Sequence, residues 1–259
     1  AQGIDFHTIG PIDAVIHLAG ENVAGGRWTE ARKARIRYSR VGPTRALAHS
    51  LAQAARRPAV LVSVSAIGYY GNRGSEDLTE RSAPGEGFLA GVCQAWEAAA
   101  DPARAAGIRV VHPRFGIVLD ARGGALGRMR TPFSLGLGGP LGPGTQFYSW
   151  VGIADLLAAV HFVLKTDDIS GPVNVTSPNP VTNADFTRTL GRVLRRPAVI
   201  PVPAPALTLA FGELAEAELL SSKRVLPAVL EEAGFTFAHP DLEQALRATL
   251  DGPAPGRDA

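Results

Sequence analysis

The chain has 259 residues, of which 46% are hydrophobic and 19% charged, with a formal net charge of +2. This is ordinary globular composition, enough for one large α/β domain alone or with a small lobe, and it excludes a disordered chain. No apolar run approaches the roughly 18 residues of a membrane span, and the lone Cys93 excludes a disulfide within the chain. Residues 1–10 carry no basic segment with an apolar core, so no signal peptide is read there and a cytoplasmic location is expected.

Residues 13–20 (DAVIHLAG) form an apolar run that ends in small residues and reads as a strand. Residues 29–55 read as a long helix. Thr29 serves as N-cap and Glu30 falls in the first turn, where an acid is favoured. Gly42-Pro43 is expected to kink or break this helix. Residues 32–40 hold four arginines and a lysine. With no aromatic interleaving or nucleic-acid motif, the run reads as a solvated helix face, and no nucleic-acid partner is expected.

Residues 58–71 (PAVLVSVSAIGYYG) are the most informative stretch. Val60, Leu61 and Val62 run into Ser63 and Ser65, the pattern of a buried parallel strand with hydroxyls at its carboxyl edge. Ligands of open α/β sheets bind at that edge. A helix follows over 87–106, broken near Pro102, and then a strand-like run over 108–119. Alternation of strands and helices predicts a parallel sheet.

Residues 123–144 are rich in glycine and read as a long functional or mobile loop. A helix is expected over 155–165 and a short strand over 171–175. Thr182 and Asp185 have capping-box spacing ahead of a helix towards Leu194. Residues 197–205 are proline-rich and extended. Short helices are expected over 206–219, 227–233 with Gly234 as its stop, and 240–250. The tail, 252–259, is expected to be disordered. The domain reading is a unit of alternating strands and helices over 1–165 and a mixed lobe over 166–250, which the resemblance described next would make a Rossmann-like dinucleotide-binding unit and a substrate lobe.

DAVIHLAG, VLVSVSAIGYYG and PRFGIVL occur in the order seen in extended short-chain dehydrogenases/reductases. GENVAGGRWTEARKARI, CQAWEAAA, GLGGPLG and RVLPAVLEEAGFTFAHPDLEQAL narrow the resemblance to the atypical epimerase-like group, with its characteristic C-terminal segment. The resemblance covers roughly residues 12–250. It implies a doubly wound, Rossmann-type parallel sheet with a small C-terminal α/β lobe, binding NADP or NAD and a small-molecule substrate. Implied cofactor contacts are Leu18, Ala19 and Gly20 at the end of the first strand, Ser63, and Arg114 in PRFGIVL. The family opens with a strand, a glycine-rich turn and a helix, and that turn is not found in these residues. Residues 13–20 correspond to the family's fourth strand, so the first three strands and the phosphate loop are expected to be missing and dinucleotide affinity weakened.

Short-chain reductases use a serine, a tyrosine acid/base and a lysine four residues on. Ser65 matches the serine. At the tyrosine and lysine positions stand Cys93 and Glu97, and at the asparagine that completes the family's relay stands Gly42. A carboxylate cannot lower a neighbouring phenol's pKa as a lysine does. Tyr70, with Tyr69 beside it, is the alternative proton donor, and Glu21 lies near the same edge as an acid/base residue or a simple cap. Cys93 reads as a packed residue, His17 and His112 as core or loop histidines. Trp150 and Asp155 fit the family's segment before the second-half helix, but Gly152 and Ala154 depart from it. No metal site is expected. Hydride transfer or epimerisation, on a nucleotide sugar by analogy, is the expected activity. The alternative is a non-catalytic dinucleotide sensor or scaffold. The two long helices resemble a family dimer surface, so a homodimer is expected.

Overall fold

A computed structural model describes residues 10–251; the tail expected to be disordered lies outside the described residues. In chain order the elements are β1 (Ala14–His17), α1 (Glu30–Gln53), β2 (Val60–Ser63), β3 (Ser65–Ala66), β4 (Asp77–Leu78), α2 (Phe88–Ala98), α3 (Asp101–Ala105), β5 (Arg109–Phe115), β6 (Ile117–Leu119) and α4 (Gly124–Ser134). They continue with β7 (Phe147–Tyr148), β8 (Trp150–Gly152), α5 (Ile153–Lys165), β9 (Gly171–Val175), β10 (Val181–Thr182), α6 (Asn183–Leu194), α7 (Ala204–Phe211), β11 (Arg224–Val225), α8 (Ala228–Glu232) and α9 (Leu242–Asp251).

The main sheet is wholly parallel. β1 pairs with β2, β2 and β3 both pair with β5, and β9 pairs with β5. Val60 faces Arg109 and Ser65 faces Arg114, the same register, so β2 and β3 are two stretches of one strand interrupted at Val64. Side chains alternate across this strand. Leu61 packs with Val110, Leu47 and Leu51 beneath α1 and α3. Val60 and Val62 pack with Val111, Val173 and Ala159 beneath α5. Helices therefore cover both faces, the doubly wound arrangement expected from the sequence.

Several local expectations are corrected. Helix α1 runs through Gly42-Pro43 unbroken; its N-cap is Thr29, which accepts from the Arg32 amide. A helix-interior proline costs about 3 kcal/mol. Ile36, Leu47 and Leu51, all buried on its two sides, each return about 2 kcal/mol on burial, which holds the helix together. The run 108–119 is two strands. At Gly116 an added Cβ would lie 2.7 Å from the Ser149 carbonyl oxygen and 2.8 Å from Thr176 Cγ2. Only glycine allows this approach, after which the chain leaves the main sheet to pair β6 with β8. The glycine-rich stretch contains helix α4, anchored by buried Leu126 and Phe133, seven residues apart on one face. The helix expected over 206–219 is α7 followed by a separate wide turn at Ala215–Leu219, with Gly212 ending α7.

The second cluster joins β6, β8, α4, α6 and α9 through Leu119, Trp150, Phe186 and Leu246. It draws on residues before 165, while β9, beyond 165, belongs to the main sheet. A cut at residue 165 therefore does not follow the layers. No helix among the described residues is long and apolar enough to cross a membrane.

Candidate active site

The carboxyl ends of the parallel strands open onto a cleft of about 440 Å³. Its walls come from the loop after β1 (Asn22, Ala24), the β3 turn (Ala66, Gly68), the β5–β6 junction (Phe115, Val118), α2 (Val92, Trp96), α4 (Arg128, Met129) and the turn at Leu219. This is the edge that the serine-bearing strand predicted.

Directly behind it lies a buried ionic network. Ser65 Oγ donates to Glu97 Oε1 at 2.7 Å. Arg114 grips Glu97 in bidentate fashion, with Nε to Oε1 and Nη2 to Oε2 both at 2.8 Å. Its Nη1 donates to Tyr70 Oη at 2.9 Å, and that hydroxyl donates to Asn174 Oδ1 at 2.7 Å. The Arg114 guanidinium also lies 3.4 Å from the centre of the Tyr69 ring. The Arg114 and Glu97 side chains are 3% and 14% exposed. Burial alone would lower the Arg114 pKa; the Glu97 carboxylate and Tyr70 phenol outweigh it, and the net shift is upward. Burial pushes Tyr70 up to about 12, so it stays a neutral phenol at physiological pH. Burial, then the charge of Glu97, pushes the Cys93 thiol up to about 12.

The fold thus brings Ser65, Tyr70 and Arg114 together and links them through Glu97, with Asn174 accepting from Tyr70. Ser63 is fully buried and its hydroxyl has no hydrogen-bond partner among the described residues. Leu18, Ala19 and Gly20 sit apart, exposed at the end of β1. Glu21 turns towards α1, where its carboxylate lies 3.2 Å from Arg32 and its amide donates to Ser39 Oγ. His112 is neutral through burial and bridges Ser63 O and Arg104. His17 bonds Thr44 Oγ1, which also accepts from Trp96 Nε1. Asp155 accepts from the Ala238 and His239 amides and so fixes the chain leading to α9. Trp150 is a core residue whose Nε1 donates to Asn179 O.

Two site residues escaped the sequence reading. Arg40 belongs to the run taken as a solvated face, yet its guanidinium lies 5.0 Å from the Trp96 ring and lines the cleft. Its position four residues after buried Ile36 was the available signal. Gly20 leaves room for it, since a Cβ there would lie 3.1 Å from Arg40 Cζ. Arg128 was hidden in the supposed loop. Neither arginine has a carboxylate within 4.0 Å among the described residues.

The comparisons fit this geometry. Residues 4–176 match the NAD dependent epimerase/dehydratase family, and residues 202–249 match a domain of unknown function, DUF1731. The chain belongs to the NAD dependent epimerase/dehydratase family. It is 45% identical over 242 residues to the epimerase family protein Mb2239 of Mycobacterium bovis, covering 93% of this chain and 80% of that protein. The human epimerase family protein SDR39U1, solved with NADPH, is 34% identical with a TM-score of 0.88, covering 94% of this chain and 83% of that one. MoeE5, solved with UDP-glucuronic acid and NAD, has a TM-score of 0.74 at 19% identity over 93% and 78% of the two chains, a likeness of fold alone. The short-chain reductase relationship read from the motifs is thereby established.

Proposed function

We propose that the chain binds NADP(H) or NAD(H) along the carboxyl edge of its sheet and acts as an oxidoreductase or isomerase on a small molecule. The observation that supports this most is the cleft at the ends of β1, β3 and β5, where open parallel sheets take their ligands. The residues present fit a dinucleotide. Leu18, Ala19 and Gly20 offer exposed backbone, and Arg40 offers a cation with no carboxylate within 4.0 Å among the described residues. A bound nicotinamide supplies or accepts a hydride.

The chain's own part is to hold and orient. Ser63, Ser65, Tyr70 and Arg114 are buried behind the cleft wall, where Glu97 neutralises Arg114. For Ser65 or Tyr70 to donate a proton to a ligand, its hydroxyl must leave Glu97 or Asn174. This pairing is also what favours the second reading, a dinucleotide-binding sensor or scaffold.

NADPH fluorescence titration followed by absorbance at 340 nm, with panels of carbonyl compounds and nucleotide sugars, separates the two. Turnover abolished by Ser65→Ala supports the enzyme. Binding without turnover supports the sensor, and absence of binding overturns both. The homodimer reading, through the outer faces of α1 and α2 where Tyr38 is 70% exposed, fails if the protein sediments as a monomer.

A further inference from the structure

The cleft walls are unsuited to a sugar. Val92, Trp96, Phe115, Val118, Met129 and Leu219 make most of the surface apolar. Its polar side chains are largely committed elsewhere. Tyr148 Oη donates to Leu219 O, and Asn22 Oδ1 accepts from the Ala24 amide. Glu218 lies 3.7 Å from Lys223 Nζ, and the Cys93 thiol is buried. A hexose would leave several hydroxyls without partners, and each unpaired hydroxyl weakens binding.

Besides Arg40, which lies over the Trp96 ring, and Glu218, which faces Lys223, charge on the lining comes from the α4 side. Gly124 and Arg128, on α4, line both the cleft and an adjoining open groove of about 580 Å³, where Arg130 also sits. Arg128 donates one N–H to Ala24 O at 2.8 Å, which holds the side chain across the opening. A guanidinium has five N–H donors, so most remain for a ligand. An apolar interior closed by an unpaired arginine complements a molecule with an apolar body and an anionic end.

We infer that the cleft takes an amphipathic anion, with its apolar body between α2 and the β5–β6 junction and its carboxylate or phosphate on Arg128, rather than a nucleotide sugar. The inference rests on the reading of this cleft as the substrate site. It assigns to α4 the selection of ligands by charge, a role independent of the buried Glu97–Arg114 network.

Isothermal titration of the full chain, with and without saturating NADPH, tests it with four probes: decanoate, decyl phosphate, decanamide and UDP-glucose. Both anions should bind more tightly than decanamide, and the stronger of the two names the head group. UDP-glucose should bind least. Arg128→Gln should weaken both anions by roughly tenfold, the loss of one charge-assisted contact, and leave decanamide unchanged. Arg128→Lys should recover part of the loss, and circular dichroism checks that each variant is folded. Tighter binding of UDP-glucose, equal binding of decanamide, or no effect of Arg128→Gln overturns the inference. So does failure of all four probes to bind. Failure of NADPH to bind while the anions keep this pattern overturns the dinucleotide reading alone.

Discussion

Replacing Glu97 tests whether the network behind the cleft holds the site together. Glu97→Ala leaves the Arg114 guanidinium buried at 3% exposure, with Nε and Nη2 unpaired, and removes the acceptor of Ser65 Oγ. Removing one partner of a buried ion pair costs about 3–5 kcal/mol, mostly because the remaining charge is uncompensated. For a chain of this size 1 kcal/mol corresponds to roughly 2–4 °C in Tm, so the expected loss is on the order of 10 °C. Glu97→Gln, which keeps an acceptor for one of the donors, should lose less. Urea unfolding of E97A, R114M and the double variant closes a mutant cycle. The double variant should be more stable than E97A, since it no longer buries an orphaned cation. An E97A protein within about 1 kcal/mol of the parent, or a cycle without coupling, would refute the reasoning.

Gly116→Ala should destabilise by about 1–3 kcal/mol in urea unfolding, because its Cβ would meet a backbone carbonyl at 2.7 Å that cannot give way cheaply. Asp155→Ala should cost about 2 kcal/mol by the same assay, having stranded the Ala238 and His239 amides; Asp155→Asn should cost less. Cys93, with its thiol held protonated, should resist Ellman's reagent at pH 8 until the protein unfolds; rapid labelling of the native protein would contradict its placement. Tyr70 titrates near 10 when unfolded and at about 12 when folded, so the folded state keeps a proton that the unfolded state releases. Its contribution to stability is full below pH 10 and lost as pH rises towards 12, and Tyr70→Phe should flatten that part of the stability–pH curve.

The sheet was legible because its signal is local. Leu61 and Val62 face opposite helices within one short run, and the hydroxyls that follow mark the ligand edge. The α4 helix was not legible, since Gly123, Gly124, Gly127 and Pro132 mimic a loop while only Leu126 and Phe133 reveal the buried stripe. The break at Gly116 was hidden by apolar residues on both sides; its cause, contact with Ser149 and Thr176, is tertiary. The sequence marked Ser65, Tyr70 and Arg114 as separate candidates, and Glu97 only as the residue at the expected lysine position. It could not show that they bond to one another, because residues 17 to 104 positions apart meet only through the crossing of α2, β5 and β9.

That crossing also bears on Glu97, the residue that the resemblance sets at the reductase lysine's position. Arg114 points from β5 towards the same face of α2 that carries Cys93 and Glu97, four residues apart. A lysine at that position would set two cations against each other at low exposure, an arrangement that like-charge repulsion and desolvation both oppose. With a carboxylate there, the cation is neutralised, Tyr70 is held by Arg114 and Asn174, and Ser65 is held by the carboxylate itself. The same carboxylate, together with burial, keeps Cys93 protonated. A carboxylate at this position of α2 therefore joins Ser65, Arg114 and, through Arg114, Tyr70 into one bonded network. The cleft arginines with no carboxylate within 4.0 Å among the described residues are Arg40 beside Trp96 and Arg128 at the mouth, and it is towards Arg128 that the proposed anionic ligand is drawn.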